Sequence, residues 1–310
     1  MEQINTTLLK QIKALDLSDI SERFIPNMMF RTNNEWKFWV TTDKGLIKTK
    51  AWPAEMIFFS DADPEPDDLN LHFFNFFYQR ANYTNIGKLL EGVTDDILNL
   101  GASLAKIELI SDNREDLKQR AARLVTTEIE YIYQVSRSIF DLLQEILSVL
   151  WERIHLFGSL KKEHLKKHFS DMVLTGQDIR TKSKIIDKFK LPEFLACFYS
   201  DNADFFCKIR NTRDAIIHGG KSFDVIFVTE KGFAIDRSKQ PFASLYDWKE
   251  EECLENSLGL LNPVINTMVK ATIKSCESLS QILERHISFP SKIAPNHSVY
   301  LRGYHNKYLL

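Results

Sequence analysis

The stretch FFCKIRNTRDAIIHGG, residues 205–220, decides how the second half of the chain is read. Phe205, Ile209, Thr212 and Ile216 recur at intervals of four, three and four, which puts them on one side of a helix turning about 100° per residue. Asn211, Asp214 and His218 form a second stripe, with Asp214 one turn before His218. A carboxylate placed there can accept the imidazole N–H and fix its tautomer, leaving the other ring nitrogen to move a proton. Arg213 lies about 140° around the helix from His218, so its guanidinium can bend back to the same site or face the equivalent site in a second molecule. Gly219 and Gly220 supply the left-handed residue that stops the helix and bares the histidine at its end. A plainer reading also fits: a histidine favourable against the helix dipole, surface Arg and Asp, and a glycine stop.

Outward from this stretch the pattern is helical. Leu124, Tyr131, Val135, Ile139, Leu142, Ile146 and Leu150 predict a long amphipathic helix ending near Phe157-Gly158. A second helical region covers about 178–200, interrupted at Pro192, and the quoted stretch makes a third. Leu254, Leu258, Leu261, Ile265, Met268, Thr272, Leu279 and Leu283 predict a fourth, kinked at Pro263. Between the third and fourth, SFDVIFVTEKGFAIDRS (222–238) reads as a β-hairpin turning at Glu230-Lys231-Gly232.

The first part of the chain differs. A short amphipathic helix opens it, WKFWVTTDKGLIKTKAW (36–52) reads as a hairpin around Asp43-Lys44-Gly45, and EMIFF (55–59) as a third strand. SDADPEPDDLN (60–70) packs two prolines and five carboxylates into a loop expected to be solvated, and LHFFNFFYQRANY (71–83) is aromatic enough for a core or a contact. The expected fold is mainly α. It has a small α+β domain over 1–115, a helical bundle with an inserted hairpin over 116–290, and a tail over 291–310.

With 44% hydrophobic and 26% charged residues the composition is that of an ordinary globular chain. A net charge of −2 makes no global demand for nucleic acid or an acidic membrane, so such a partner must be read by a local patch. Residues 160–190 offer one, with nine Lys or Arg against four acids; Lys182, Lys184 and Lys188 could track phosphates there, or simply solvate a basic helix. The four cysteines lack Cys-x-x-Cys spacing and are expected to be reduced core residues. The chain shows no signal peptide and no stretch of ~18 uncharged apolar residues, so a cytoplasmic location without a membrane anchor is expected. Phosphate-loop, dinucleotide and nucleophile-elbow motifs are missing, which removes the main support for kinase, dehydrogenase and α/β-hydrolase readings. His164 and His168 stand four apart, but the intervening Leu-Lys-Lys lacks a metalloprotease glutamate and repels a cation, so no metal is expected.

Arg213-Asp214-Ala215-Ile216-Ile217-His218 resembles the Arg-(polar)-x-x-x-His motif of the HEPN superfamily. There the motif ends the third helix of a four-helix bundle, before a variable and sometimes β-rich connection to the fourth. The likeness covers about 120–288 and leaves the preceding residues unassigned. It implies a metal-independent endoribonuclease, active as a homodimer, of the toxin, defence or stress-effector type, with no cofactor and with an antitoxin or regulatory partner to be considered. Carried over, His218 would be general base or acid, Arg213 would hold the scissile phosphate, and Asp214 would orient His218. Arg210, Asn211 and Lys208 would be auxiliary RNA contacts; Arg210 lies too far from His218 for the usual motif spacing. The alternative is a non-catalytic RNA-binding or dimerisation module that keeps the motif as a surface remnant.

Overall fold

The computed structural model describes residues 6–20, 22–25, 28–42, 45–49, 54–156, 162–219 and 225–309. The chain is mainly α with several small sheets. Its first elements are α1 (Thr6–Leu9), β1 (Met29–Thr32), β2 (Glu35–Thr42), β3 (Gly45–Thr49), β4 (Met56–Ser60), β5 (Asp68–Leu69), α2 (His72–Arg80), α3 (Gly87–Asp112), α4 (Arg114–Leu117) and α5 (Gln119–Arg153). There follow α6 (Phe169–Val173), β6 (Leu174–Thr175), β7 (Asp178–Ile179), α7 (Lys182–Phe189), α8 (Glu193–Gly219), β8 (Phe227–Thr229), β9 (Gly232–Asp236), β10 (Leu258–Leu260), α9 (Leu261–His286) and β11 (Ser298–Arg302).

Two compact units divide the chain: Met1–Thr94 with Cys276–Lys307, and Asp95–Ser275 with Tyr308–Leu310. The division falls within α3 and α9, where the sequence led us to expect a boundary near 115 and a separate tail from 291. The tail instead gives β11 to the sheet of the first unit, because Val299, Tyr300 and Leu301 are buried between β4 and β5.

In that sheet unit the strand order among the described residues is β3-β2-β1-β4-β11-β5. Asn33 and Asn34 turn β1 into β2 with φ of 52 and 61, the left-handed pair that a two-residue hairpin needs. The expected hairpin joins β2 to β3; its Asp43 and Lys44 lie outside the described residues, as do Trp52 and the other residues of 50–53. Strand β4 is buried along its whole length, since it pairs with β1 and β11. Alternation sends Met29, Met56, Phe58 and Tyr300 to one face, with Trp36 and Phe38 packed against them. Phe30 and Phe59 stack at 5.2 Å among the alternate residues of the same strands. The aromatic segment after the acidic loop is core: α2 buries Phe73, Phe74, Phe76 and Phe77, and Asn75 accepts the Val299 amide at 3.1 Å. Leu71 cannot cap α2, so Glu277 does, its carboxylate accepting the amides of His72 and Phe73 at 3.2 and 3.0 Å.

Much of the acidic loop is exposed, as expected, but Asp68 is buried and ties it to the sheet. Asp68 accepts Arg302 Nε and Nη2 at 2.7 and 2.9 Å, and Glu65 reaches Arg31 and Arg302 at 2.8 Å each. Both guanidiniums lie over the Trp36 ring, 5.9 and 4.7 Å from its centroid.

His297, just before β11, is buried against the edge of Phe30, and desolvation holds its imidazole below the ordinary value of 6.5. Asp61 opposes that shift and Lys37 adds to it. The folded state therefore keeps a neutral ring while the unfolded chain takes up a proton, so this contribution is whole above 6.5 and lost as pH falls through the depressed folded value. Denaturant melts at a series of pH values are expected to show wild type losing more stability below 6.5 than His297→Phe.

In the helical unit, α5 buries one side along its 35 residues, from Ala121 to Trp151. Helix α8 lies against it, Phe140 meeting Phe206 at 5.4 Å, and Phe169 of α6 closes on Phe206 at 4.8 Å. The second helical region and the third, expected as separate, are joined: α8 runs unbroken from Glu193. Pro192 directly precedes it, where its missing amide hydrogen has no helical partner, and α7 ends at left-handed Lys190 with φ 53. Pro263 likewise falls in the first turn of α9 and calls for no kink. The expected hairpin forms between β8 and β9, turning at Glu230-Lys231, and β10 adds a third strand that the helical reading of Leu254 to Leu261 missed.

Gly259 in β10 is held close to Trp248, whose Nε1 donates to Leu260 O at 2.9 Å. A Cβ built there would stand 2.5 Å from Trp248 Nε1 and 2.6 Å from Arg237 Cγ. Gly259→Ala is expected to cost about 1–3 kcal/mol by overpacking, read as a lower urea midpoint.

Candidate functional site

The site is built on the seam between α5 and α8. Gln144 fixes it from the middle of α5: its Oε1 accepts Tyr199 Oη at 2.8 Å and its Nε2 donates to Lys166 O at 2.6 Å. Of the stripe predicted to be buried, Ile209 and Thr212 are buried, whereas Phe205 and Ile216 are half-buried because Phe206 takes the central inward position. The final turns of α8 then carry Arg210, Arg213 and Asp214 out of the packed region, and each is half-exposed.

Asp214 is the junction of this group. Arg213 Nη1 donates to its Oδ1 at 3.1 Å, and Arg210 Nε lies 3.5 Å from Oδ2. Each oxygen thus meets a guanidinium. Arg210 and His218 are both four residues from Asp214 along the helix. His218 sits on the last turn of α8; its side chain lies outside the described atoms.

The auxiliary residues divide. Asn211 is exposed beside Arg210, whereas Lys208 turns back to Asp204 at 2.7 Å. In the basic segment Lys182 is paired with Glu193 at 2.8 Å, while Lys184 and Lys188 are exposed. Arg180 is buried, donating to the carbonyls of Asp171 and Met172 at 2.6 and 3.0 Å, so it supports the fold. Lys161 lies outside the described residues. His164 pairs with Glu152 at 2.9 Å. Among the described residues no group of three His, Cys, Asp or Glu is arranged to hold a metal, and no helix is long and apolar enough to cross a membrane.

Several neighbours are unsuited to proton or group transfer. Burial pushes the Cys207 thiol up, although Arg210 draws it down, which disfavours a thiolate. Tyr133 is buried and its hydroxyl is pushed up by desolvation against the pull of Thr212, so it stays neutral. Ser136 is fully buried, and Asp141 is paired with Arg137.

Two constellations escaped the sequence reading. Arg137 of α5 lies 4.6 Å from the centroid of the Phe206 ring of α8. Its four-residue spacing to Asp141 was a visible signal, but its position on α8 is tertiary. In the sheet unit, His72 bridges Ser280 Oγ at 2.8 Å and Glu284 Oε2 at 2.7 Å. This looks like a nucleophile with its base and acid, yet Ser280 is fully buried and its hydroxyl donates to Glu277 O at 3.0 Å. It holds the start of α2 to α9 and cannot reach a substrate.

No family model, curated protein or solved structure matches this chain.

Proposed function

We propose that the chain is a metal-independent endoribonuclease of the HEPN type, working as a homodimer and serving as a toxin or a defence or stress effector in the cytoplasm. The observation that carries this reading is the set of guanidiniums at the end of α8: Arg213 and Arg210 gathered on Asp214, one to two turns before His218. The order of long helices, with a β-rich connection between α8 and α9, also agrees with the bundle that the motif accompanies.

In this reading His218 takes the proton of a ribose 2′-hydroxyl as its oxygen attacks the adjacent phosphorus, or gives a proton to the departing 5′-oxygen. The P–O5′ bond breaks, leaving a 2′,3′-cyclic phosphate and a 5′-hydroxyl. A second copy of the chain supplies the His218 that performs the complementary transfer. Arg213 neutralises charge growing on the non-bridging oxygens, and a guanidinium suits this because its planar donors match two oxygens at once. Asp214 then acts on the arginines, fixing their direction before RNA arrives. An antitoxin or regulatory partner would cover this face between bouts of activity.

The alternative is a non-catalytic RNA-binding or dimerisation module that keeps the motif as a surface remnant. Incubating mixed RNAs with wild type and with His218→Ala in EDTA separates the two. Wild-type cleavage to cyclic phosphate ends, absent from the variant, supports the nuclease; RNA binding without cleavage by either supports the binding module.

A further inference from the structure

We infer that β8 is a docking edge for a second copy of this chain: the two β8 strands pair antiparallel about a twofold axis at Val228 and join the two small sheets into one. The proposed function leaves the contact between copies unnamed. This inference goes beyond it and stands on the edge of the sheet, not on the chemistry of α8.

In the order β10-β9-β8, β8 is an outer strand. Thr229 and Gly232 close the turn at Glu230-Lys231 and Phe227 pairs with Ala234, so in the antiparallel alternation Thr229 and Phe227 direct their hydrogen bonds to β9. Val228, between them, turns its amide and carbonyl to the other side. Among the described residues neither group is bonded to another element. Open edges are usually blocked by a charge, a proline or a bulge. Residues 225–229, Val-Ile-Phe-Val-Thr, carry no charge and no proline, and the register of β8 with β9 is regular. Val225, Phe227 and Val228 are exposed along this edge.

A second copy is the fitting occupant because the edge complements itself. With Val228 opposite its own equivalent, the two residues exchange both amide–carbonyl bonds, Phe227 falls opposite Thr229, and Ile226 falls opposite Glu230. The two Phe227 rings then stand diagonally across the axis on one face, within the reach of an aromatic pair. On the other face lies an open cavity of about 410 Å³, lined by Ile226, Phe227 and Val228 and by Lys118, Gln119 and Ala122 at the start of α5. Directly opposed residues of an antiparallel pair share a face, so Glu230 of the second copy, opposite Ile226, is brought beside Lys118. Lys118 and Glu230 are both exposed, and among the described residues neither side chain has an ion-pair partner. The symmetry makes this attraction twice.

Sedimentation equilibrium of the full chain over a range of concentration reads the association. Wild type is expected to form dimers, and Val228→Pro to associate about tenfold more weakly or not at all, because both bonds at the axis are lost. Proline removes the outward amide hydrogen and is tolerated on an edge strand, since Val228 gives no bond to β9; circular dichroism and the urea midpoint show that the variant folds. Glu230→Lys is expected to weaken the dimer by about three- to tenfold through like charges at Lys118, and Glu230→Lys with Lys118→Glu to restore it. Wild type that is monomeric throughout the range overturns the inference. A dimer that folded Val228→Pro leaves intact, or that the double swap does not restore, overturns it as well and puts the contact elsewhere. Should Val228→Pro fail to fold, the charge swap decides alone. RNA cleavage is not measured, so failure of the ribonuclease reading leaves each of these outcomes unchanged.

Discussion

Replacing His218 with alanine is expected to slow RNA cleavage by about 10²–10⁴-fold, the range over which a positioned acid or base acts. The loss should fall on the chemical step, seen in single-turnover cleavage at saturating protein. Binding of a 2′-O-methyl oligoribonucleotide, which cannot be cleaved, should be nearly unchanged, because the proposed mechanism gives the phosphate to arginines that the substitution leaves in place. Folding should also be unaffected: α8 is fixed upstream by Phe206 on Phe140 and by Tyr199 on Gln144, and His218 belongs to its last turn. Arg213→Ala makes the contrast, weakening both binding and rate. An equal rate in His218→Ala and wild type would remove the imidazole from the reaction and with it the proposed mechanism.

The largest expected effect on stability is in the other unit. Asp68→Ala should cost about 3–5 kcal/mol, the usual consequence of deleting one member of a buried ion pair. Its side chain is fully buried, meets two nitrogens of Arg302, stands 3.8 Å from Arg31, and accepts the Glu65 amide at 2.8 Å. Without it, two guanidiniums remain over the Trp36 ring with Glu65 as their shared carboxylate, Arg31 keeping also its bonds to Asp63 O and Asn34 Oδ1. Glu65→Ala is the control: its side chain is 45% exposed, water replaces it, and the cost should stay near 0–1 kcal/mol. Urea unfolding of both variants reads the difference; equal midpoints would mean that Asp68 contributes no more than a surface charge.

Local features of this fold were legible, and long-range ones were not. The β2–β3 and β8–β9 hairpins and the existence of α5 follow from turn residues and periodicity that any short window contains, although Leu124 and Tyr131 of the predicted stripe are exposed and Leu142 is half-buried. Strand β5 has two residues and β11 five, and neither has a turn to announce its partner, so the sequence could not show that they lie side by side. Pro192 was visible as punctuation, but the same residue that interrupts a helix also opens one, and only the continuity of α8 decides. At the candidate site the spacing gave Arg213, Asp214 and His218 on one helix end. It offered Asp214 two partners at equal distance along the helix, Arg210 and His218, and spacing alone does not rank them. Arg137 required knowing which turn of α5 meets which turn of α8.

The sheet also fixes an order of assembly. Asp68 and Arg302 are 234 residues apart, so at roughly 5–20 residues per second the ribosome leaves the interior strand β4 without its β11 neighbour for on the order of ten seconds or more. The helical unit is continuous from Asp95 to Ser275 apart from three distant residues, and its segments emerge while that gap is still open. During synthesis the end of α8 that bears Arg213 can therefore take shape before the sheet receives its last strand.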